Sequence, residues 1–330
     1  MFEKLGKFIV KARYYIMGLF LILLICSCIL IPQVLINYDI SEYLPDSSET
    51  KIAINLMEDE FGSIGTAEVM LTSVTKSDAK IAVSIIASID GVASVVFDEN
   101  QTTYYNDESN MALIQVFLSS GDYEQETATT LENIETQLND YDFSLVGSSV
   151  EAITNRSAIE KEMTIILIVA ILIVIAILFL TSRAYIEPLI FIIVIGVAIL
   201  INMGTNLIFG EISFITKSIS SIMLIALAMD YSIVLLHRYR EEREKTNDSH
   251  LAMAKAISGS LVAVLASSLT VMAGLISLVF MDFLIGYDIG MVLTKGVLIS
   301  VICVIFLMPS IILLLDKSIT KPLIKVFCLV

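Results

Sequence analysis

The chain has 330 residues, 56% of them hydrophobic, and a mean hydropathy of +0.85. That usage lies well outside soluble globular composition, excludes a soluble enzyme or a nucleic-acid-binding protein, and implies several membrane spans. The net charge of -15 is concentrated in one stretch: residues 37–162 hold 24 Asp plus Glu against 5 Lys plus Arg. Apolar runs of about 20 residues predict six spans: Tyr14 to Ile36, Met163 to Leu180, Pro188 to Phe209, Ile215 to Leu236, Ser258 to Phe280 and Ile289 to Leu315.

The first run is longer than the apolar stretch of a signal peptide and Ile31-Pro32-Gln33 offers no small-residue cleavage site, so it is expected to remain as an anchor. Residues 37–162 then read as a folded domain between spans one and two. Strand signals at Thr66 to Val74, Val92 to Phe97, Met111 to Leu118 and Phe143 to Ser148 alternate with helical signals at Asp78 to Ile89 and Glu124 to Leu138. That order is βαββαβ, an α+β ferredoxin-like sandwich. Val150 to Glu162 is helix-compatible and leads into span two. The acidity of the domain suits solubility outside the membrane; a sharper reading is attraction of cationic amphiphiles.

Basic residues set the expected orientation. Lys4, Lys7, Lys11 and Arg13 precede span one, Arg238, Arg240, Arg243, Lys245 and Lys255 follow span four, and Lys317, Lys321 and Lys325 close the chain. The loops Gly210 to Phe214 and Met281 to Asp288 contain none, so both termini are expected in the cytoplasm and residues 37–162 outside. Cys26, Cys28, Cys303 and Cys328 all avoid the exterior segment, and both histidines, His237 and His250, lie in the cytoplasmic loop, so neither a disulfide nor a metal site is expected there.

One acid interrupts the apolar pattern. Asp230, followed by Tyr231, sits inside span four, where a charge costs at least ~2.5 to 3.5 kcal/mol and is a functional candidate by default. A carboxyl group in low dielectric can alternate between charged and neutral forms, which suits a proton carrier; the plainer reading is an acid that hydrogen-bonds a neighbouring helix. Ser267 and Ser268 on span five fall at comparable depth, either as relay neighbours or as packing residues. Lys295 in span six is expected to snorkel outward or to pair with Asp288, and Asp282 and Asp288 are expected to lie at the outer boundary without a special role. Gly196, Asn202, Gly204 and Asn206 on span three, with Ser218, Ser220 and Ser221 on span four, are small or polar candidates for helix contact. No G-x-x-x-x-G-K-[S/T] occurs, so no ATP site is expected.

Four stretches, NMGTNLIFGEISFIT from Asn202, ALAMDYSIVLLHRYREE from Ala226, SSLTVMAGLISLVFM from Ser267 and the run from Ile285 to Lys317, resemble transporters of the resistance-nodulation-division (RND) superfamily, in its MMPL-type branch. The resemblance is to one half of such a protein, because family members pair two span-domain-span halves about a pseudo-twofold axis. It implies residues 1–36 as cytoplasmic N-terminus and first transmembrane helix, 37–162 as an extracytoplasmic porter-type domain, 163–315 as the bundle of spans two to six, and 316–330 as a cytoplasmic tail. It further implies export of lipids, drugs or other amphiphiles from a bacterial cytoplasmic membrane, with Asp230 and Tyr231 as the proton relay and protons as the only coupling species, without a cofactor. The expected partners are membrane lipids, an amphiphilic substrate, and a second half-transporter or a second copy. A non-transporting sensor or assembly subunit with the same fold is the alternative. An intramembrane aspartyl protease needs two carboxyl groups at one depth, which Asp230 and Asp288 do not provide.

Overall fold

The computed structural model describes residues 2–62, 64–182, 184 and 186–319. In chain order the elements begin with α1 (Phe2–Lys11), α2 (Arg13–Leu30), β1 (Leu35–Asn37) and α3 (Glu49–Phe61). There follow β2 (Thr66–Thr72), α4 (Lys76–Ala87), β3 (Val92–Val96), β4 (Tyr105–Asn106), β5 (Met111–Leu118), α5 (Gln125–Gln137) and β6 (Asp142–Val146). The chain continues through α6 (Ser148–Thr181), α7 (Ile186–Thr205), β7 (Glu211–Ser213), α8 (Phe214–Lys245), α9 (Ser249–Ser277), α10 (Leu284–Ile302) and α11 (Met308–Ile319). It divides into two compact units, residues 46–163 and the remainder.

In the first unit the strands lie in the order β3-β5-β2-β6, antiparallel throughout, with β4 added beside β5. Strict alternation drives this sheet: Ala67, Val69 and Leu71 on β2 and Ala112, Ile114, Val116 and Leu118 on β5 are buried, joined in one core by Ala79, Ala82 and Ile86 of α4 and Leu131 and Ile134 of α5. A capping box between Thr75 and Asp78 starts α4. The other face carries Glu68, Met70, Leu113, Gln115 and Phe117, half-buried, with Val96 and Val146 exposed at its edges. Gln115 donates to Glu68 across the central pair at 3.3 Å. Helix α3 and the short strand β4 are the elements of this unit that the sequence reading does not expect.

Among the described residues six helices are long and apolar enough to cross a membrane: Arg13–Gln33, Ser148–Leu180, Ile186–Phe209, Phe214–Lys245, Ser249–Phe280 and Leu284–Asp316. The second of them begins in the sheet unit, since α6 runs unbroken for 34 residues. Span one is shorter than expected. Pro32 cannot continue the helix, so the chain passes through a 3-10 turn, and Leu35 and Ile36, assigned above to the span, instead form β1, which pairs in parallel with β7. Tyr38 stacks on Phe214 at 5.5 Å beside this pair. Span six is interrupted by a π-helical turn at Cys303–Leu307. Pro309 explains it, because its ring clashes with the carbonyl four residues back, within that turn. Of the expected tail at 316–330, residues 320–330, including Lys321, Lys325 and Cys328, lie outside the described residues.

Candidate functional site

Asp230 lies on the open side of α8. Ile219, Ala226, Asp230, Val234 and His237 are all exposed and recur at helical spacing, so they form one stripe, while Tyr231 beside them is only 4% exposed. The adjoining side of α9 is also open and built of small residues: Gly259, Ala263, Ser267, Thr270 and Gly274. A Cβ at Gly274 would meet nothing within 4 Å. A cavity of about 500 Å³ opens between the two helices one turn beyond Asp230, lined by Val234, His237, Arg238, Glu241 and Ala263 among others.

Among the described residues no cation or hydrogen-bond donor pairs with Asp230. Tyr231 points inward, and Ser267 of α9 faces its hydroxyl. Ser267 gives its own proton to the Val264 carbonyl at 3.1 Å, and the Tyr231 hydroxyl is left buried without a hydrogen bond of normal geometry. Ser268 is fully buried and returns its hydroxyl to the Leu265 carbonyl at 3.1 Å. Thus Asp230, Tyr231 and Ser267 stand together, and Ser268 turns into the α9 packing. Among the described residues no three His, Cys, Asp or Glu side chains come together as a metal site.

Four other charged groups of the bundle meet partners at its two ends: Glu187, Asp316, Asp288 and Lys295. At the basic end, Arg240 holds Glu187, which is 1% exposed, through a two-point contact whose Nε–Oε1 arm is 3.0 Å. One turn along, Tyr239 donates to Asp316 at 2.5 Å and Arg243 donates to both oxygens of the same carboxylate at 3.3 Å. These contacts clamp the end of α8 to the start of α7 and to α11. Composition alone could not pair these residues, which stand 53 to 77 positions apart.

At the opposite end Asp288 accepts from the Ser213 backbone N–H at 2.8 Å and from Thr216 Oγ1 at 2.6 Å. It therefore caps α8, where a helix N-terminus favours negative charge, and the expectation that Asp288 has no special role is corrected. Tyr43 lies beside it, and burial, with the Asp288 and Glu211 carboxylates, pushes the Tyr43 hydroxyl well above its usual range. Lys295 neither snorkels nor pairs with Asp288. It donates to the Asn202 carbonyl and to Thr205 Oγ1 at 3.0 Å each and to Asn206 Oδ1 at 2.5 Å, with Phe209 under the ammonium at 5.2 Å. The end of α7, where unpaired carbonyls favour a cation, supplies what the membrane boundary was expected to supply.

Of the small positions on α7, Gly204 is used inside the chain: a Cβ there would come within 2.6 Å of Ser27 on α2. Asn202 is fully buried against Gly296 of α10 with neither side-chain atom hydrogen-bonded, whereas Gly196 has open space around it.

Residues 106–323 match the MMPL family, a family of membrane transporters. The chain belongs to the MMPL family. A membrane protein of Streptomyces coelicolor is 24% identical over 85% of this chain and 42% of its own length. A membrane protein of Methanocaldococcus jannaschii is 23% identical over 73% of this chain and 63% of its own length. The chain therefore spans less than two thirds of each of these relatives. The MMPL match takes in α6 to α11, and with them Asp230, the Arg240–Glu187 and Arg243–Asp316 pairs, Asp288 and Lys295.

Proposed function

We propose that this MMPL-family membrane protein is one half of an exporter driven by the proton-motive force, moving lipids, drugs or other amphiphiles out of a bacterial cytoplasmic membrane. The observation that carries the reading is a single carboxylic acid, Asp230, in the middle of an apolar helix, exposed on an open face and without a partner among the described residues, while the neighbouring charges of the bundle are held at its two ends. In this reading the basic end is cytoplasmic and the Asp46–Met163 unit is an extracytoplasmic, ferredoxin-like porter domain. Asp230 takes a proton from the exterior side, its neutralisation lets α8 shift, and the proton leaves toward the cytoplasm by way of the cavity above His237 and Glu241. The uncovered sheet face with Met70, Leu113 and Phe117 is suited to an amphiphile because it mixes apolar side chains with the Glu68 carboxylate.

The open stripes of α8 and α9 support a second half or second copy as the missing cover, since small residues let helices approach closely in lipid. Efflux of a cationic amphiphilic dye from energised membrane vesicles tests the proposal. Transport is expected to stop when a protonophore collapses the gradient and to be lost in Asp230→Asn; an amide variant that keeps most of the activity removes Asp230 from the mechanism. In the same membranes Ala226→Cys is expected to crosslink to a partner chain above the background of the unsubstituted protein, and a chain that remains monomeric while transporting would overturn the half-transporter reading.

A further inference from the structure

The geometry points to a binding site for the headgroup of an anionic phospholipid at the basic end of the bundle, built by α1 and the first residues of α2 and α9. It stands apart from Asp230 and does not depend on what the protein transports. A cavity of about 410 Å³ lies between these elements, and four basic side chains converge on it: Lys7 and Lys11 from one side of α1, Arg13 from the start of α2, and His250 from the first turn of α9. Arg13 Nη1 stands 3.2 Å from His250 Nδ1 and its Nη2 donates to Tyr14 at 3.2 Å, so the guanidinium is already oriented over the cavity.

Neither Arg13 nor Lys11 has a carboxylate partner among the described residues, and Lys7 has only the exposed Glu3 at 2.9 Å. Lys7, Lys11 and Arg13 face a single rim carboxylate, Asp248, whose Oδ1 caps α9 by accepting from the backbone N–H groups of His250 and Leu251 at 2.9 and 3.3 Å. The positive charge left over around one space favours the entry of an anion.

Three features select a lipid over a soluble anion. The floor of the cavity is apolar, with Val10 and Leu251. Tyr14, 62% exposed, lines it, and tyrosine favours the membrane interface. The wall is also rigid, because Gly6 packs α1 so tightly on α9 that a Cβ would lie 2.5 Å from the Ala254 carbonyl. Basic recesses between helices at the cytoplasmic boundary suit anionic headgroups, whose phosphate takes the charge-assisted bonds while the acyl chains stay in the bilayer.

The test is native mass spectrometry of the full chain in mild detergent, after incubation with phosphatidylglycerol, with phosphatidylcholine, or with inorganic phosphate alone. One phosphatidylglycerol is expected to remain bound, and Arg13→Gln or Lys11→Gln to reduce its occupancy at least threefold. Lys4→Gln removes the same charge from the same helix outside the cavity and is expected to leave occupancy unchanged. Equal loss in all three variants would mean a diffuse basic surface and overturn the site. Equal retention of phosphatidylcholine would overturn the selectivity for anionic lipid, and displacement of the lipid by an equal concentration of inorganic phosphate would replace it with a soluble phosphate site.

Discussion

The two ends of the bundle hold the same helices by different chemistry. At the basic end charge meets charge, Arg240 on Glu187 and Arg243 on Asp316. At the other end charge meets neutral dipoles, Asp288 on the first turn of α8 and Lys295 on the last turn of α7. Between these fastened ends α8 carries Asp230 with no such restraint among the described residues, and the contrast sets charges held in helix contacts apart from an acid on an open face.

Four substitutions grade that contrast. Asp230→Asn is expected to lower gradient-driven efflux by about a hundredfold or more, while unfolding in detergent and membrane insertion stay as in the wild type; a matching loss of stability would place Asp230 among the structural charges. Glu187→Ala leaves the half-buried Arg240 beside an empty position and is expected to destabilise the protein by about 3 to 5 kcal/mol, read as a lower denaturation midpoint in mild detergent. Unchanged stability there would show that the basic end is not fastened by this pair. Lys295→Met strips three acceptors of their donor and is expected to cost about 2 to 3 kcal/mol, less than Glu187→Ala because no opposite charge is orphaned; a larger cost than Glu187→Ala would reverse the ranking of the two ends.

Tyr231→Phe is expected to have the smallest effect. The hydroxyl it removes has no hydrogen bond of normal geometry, so stability should hold or rise, and efflux should fall by about two- to tenfold at most, the worth of one hydrogen bond of 0.5 to 1.5 kcal/mol. Should the Phe variant transport worse than Asp230→Asn, the order of importance within the pair would be inverted.

Much of the fold could be read along the chain because its signals are local. Six apolar runs are visible as composition, and the alternation in Thr66–Thr72 and Met111–Leu118 marks two strands to within two residues of the observed limits. Asp230 was visible for the same reason, as one acid in an apolar run. The end of span one was misplaced because hydropathy cannot distinguish helical Leu35 and Ile36 from the same residues in a strand; Pro32 was the available signal. Asp288 and Lys295 show the limit more sharply. Their charges and depth were evident, but their partners are helix ends contributed by residues 72 to 93 positions away. Which segments are apolar enough to span, and which acid stands out among them, is written in the residues of each run, since both depend on residue identity within local stretches of chain. Which charges are consumed at helix ends and which face of α8 stays open emerges with the packing of the helices, because hydrogen bonds and burial are properties of neighbours brought together in space.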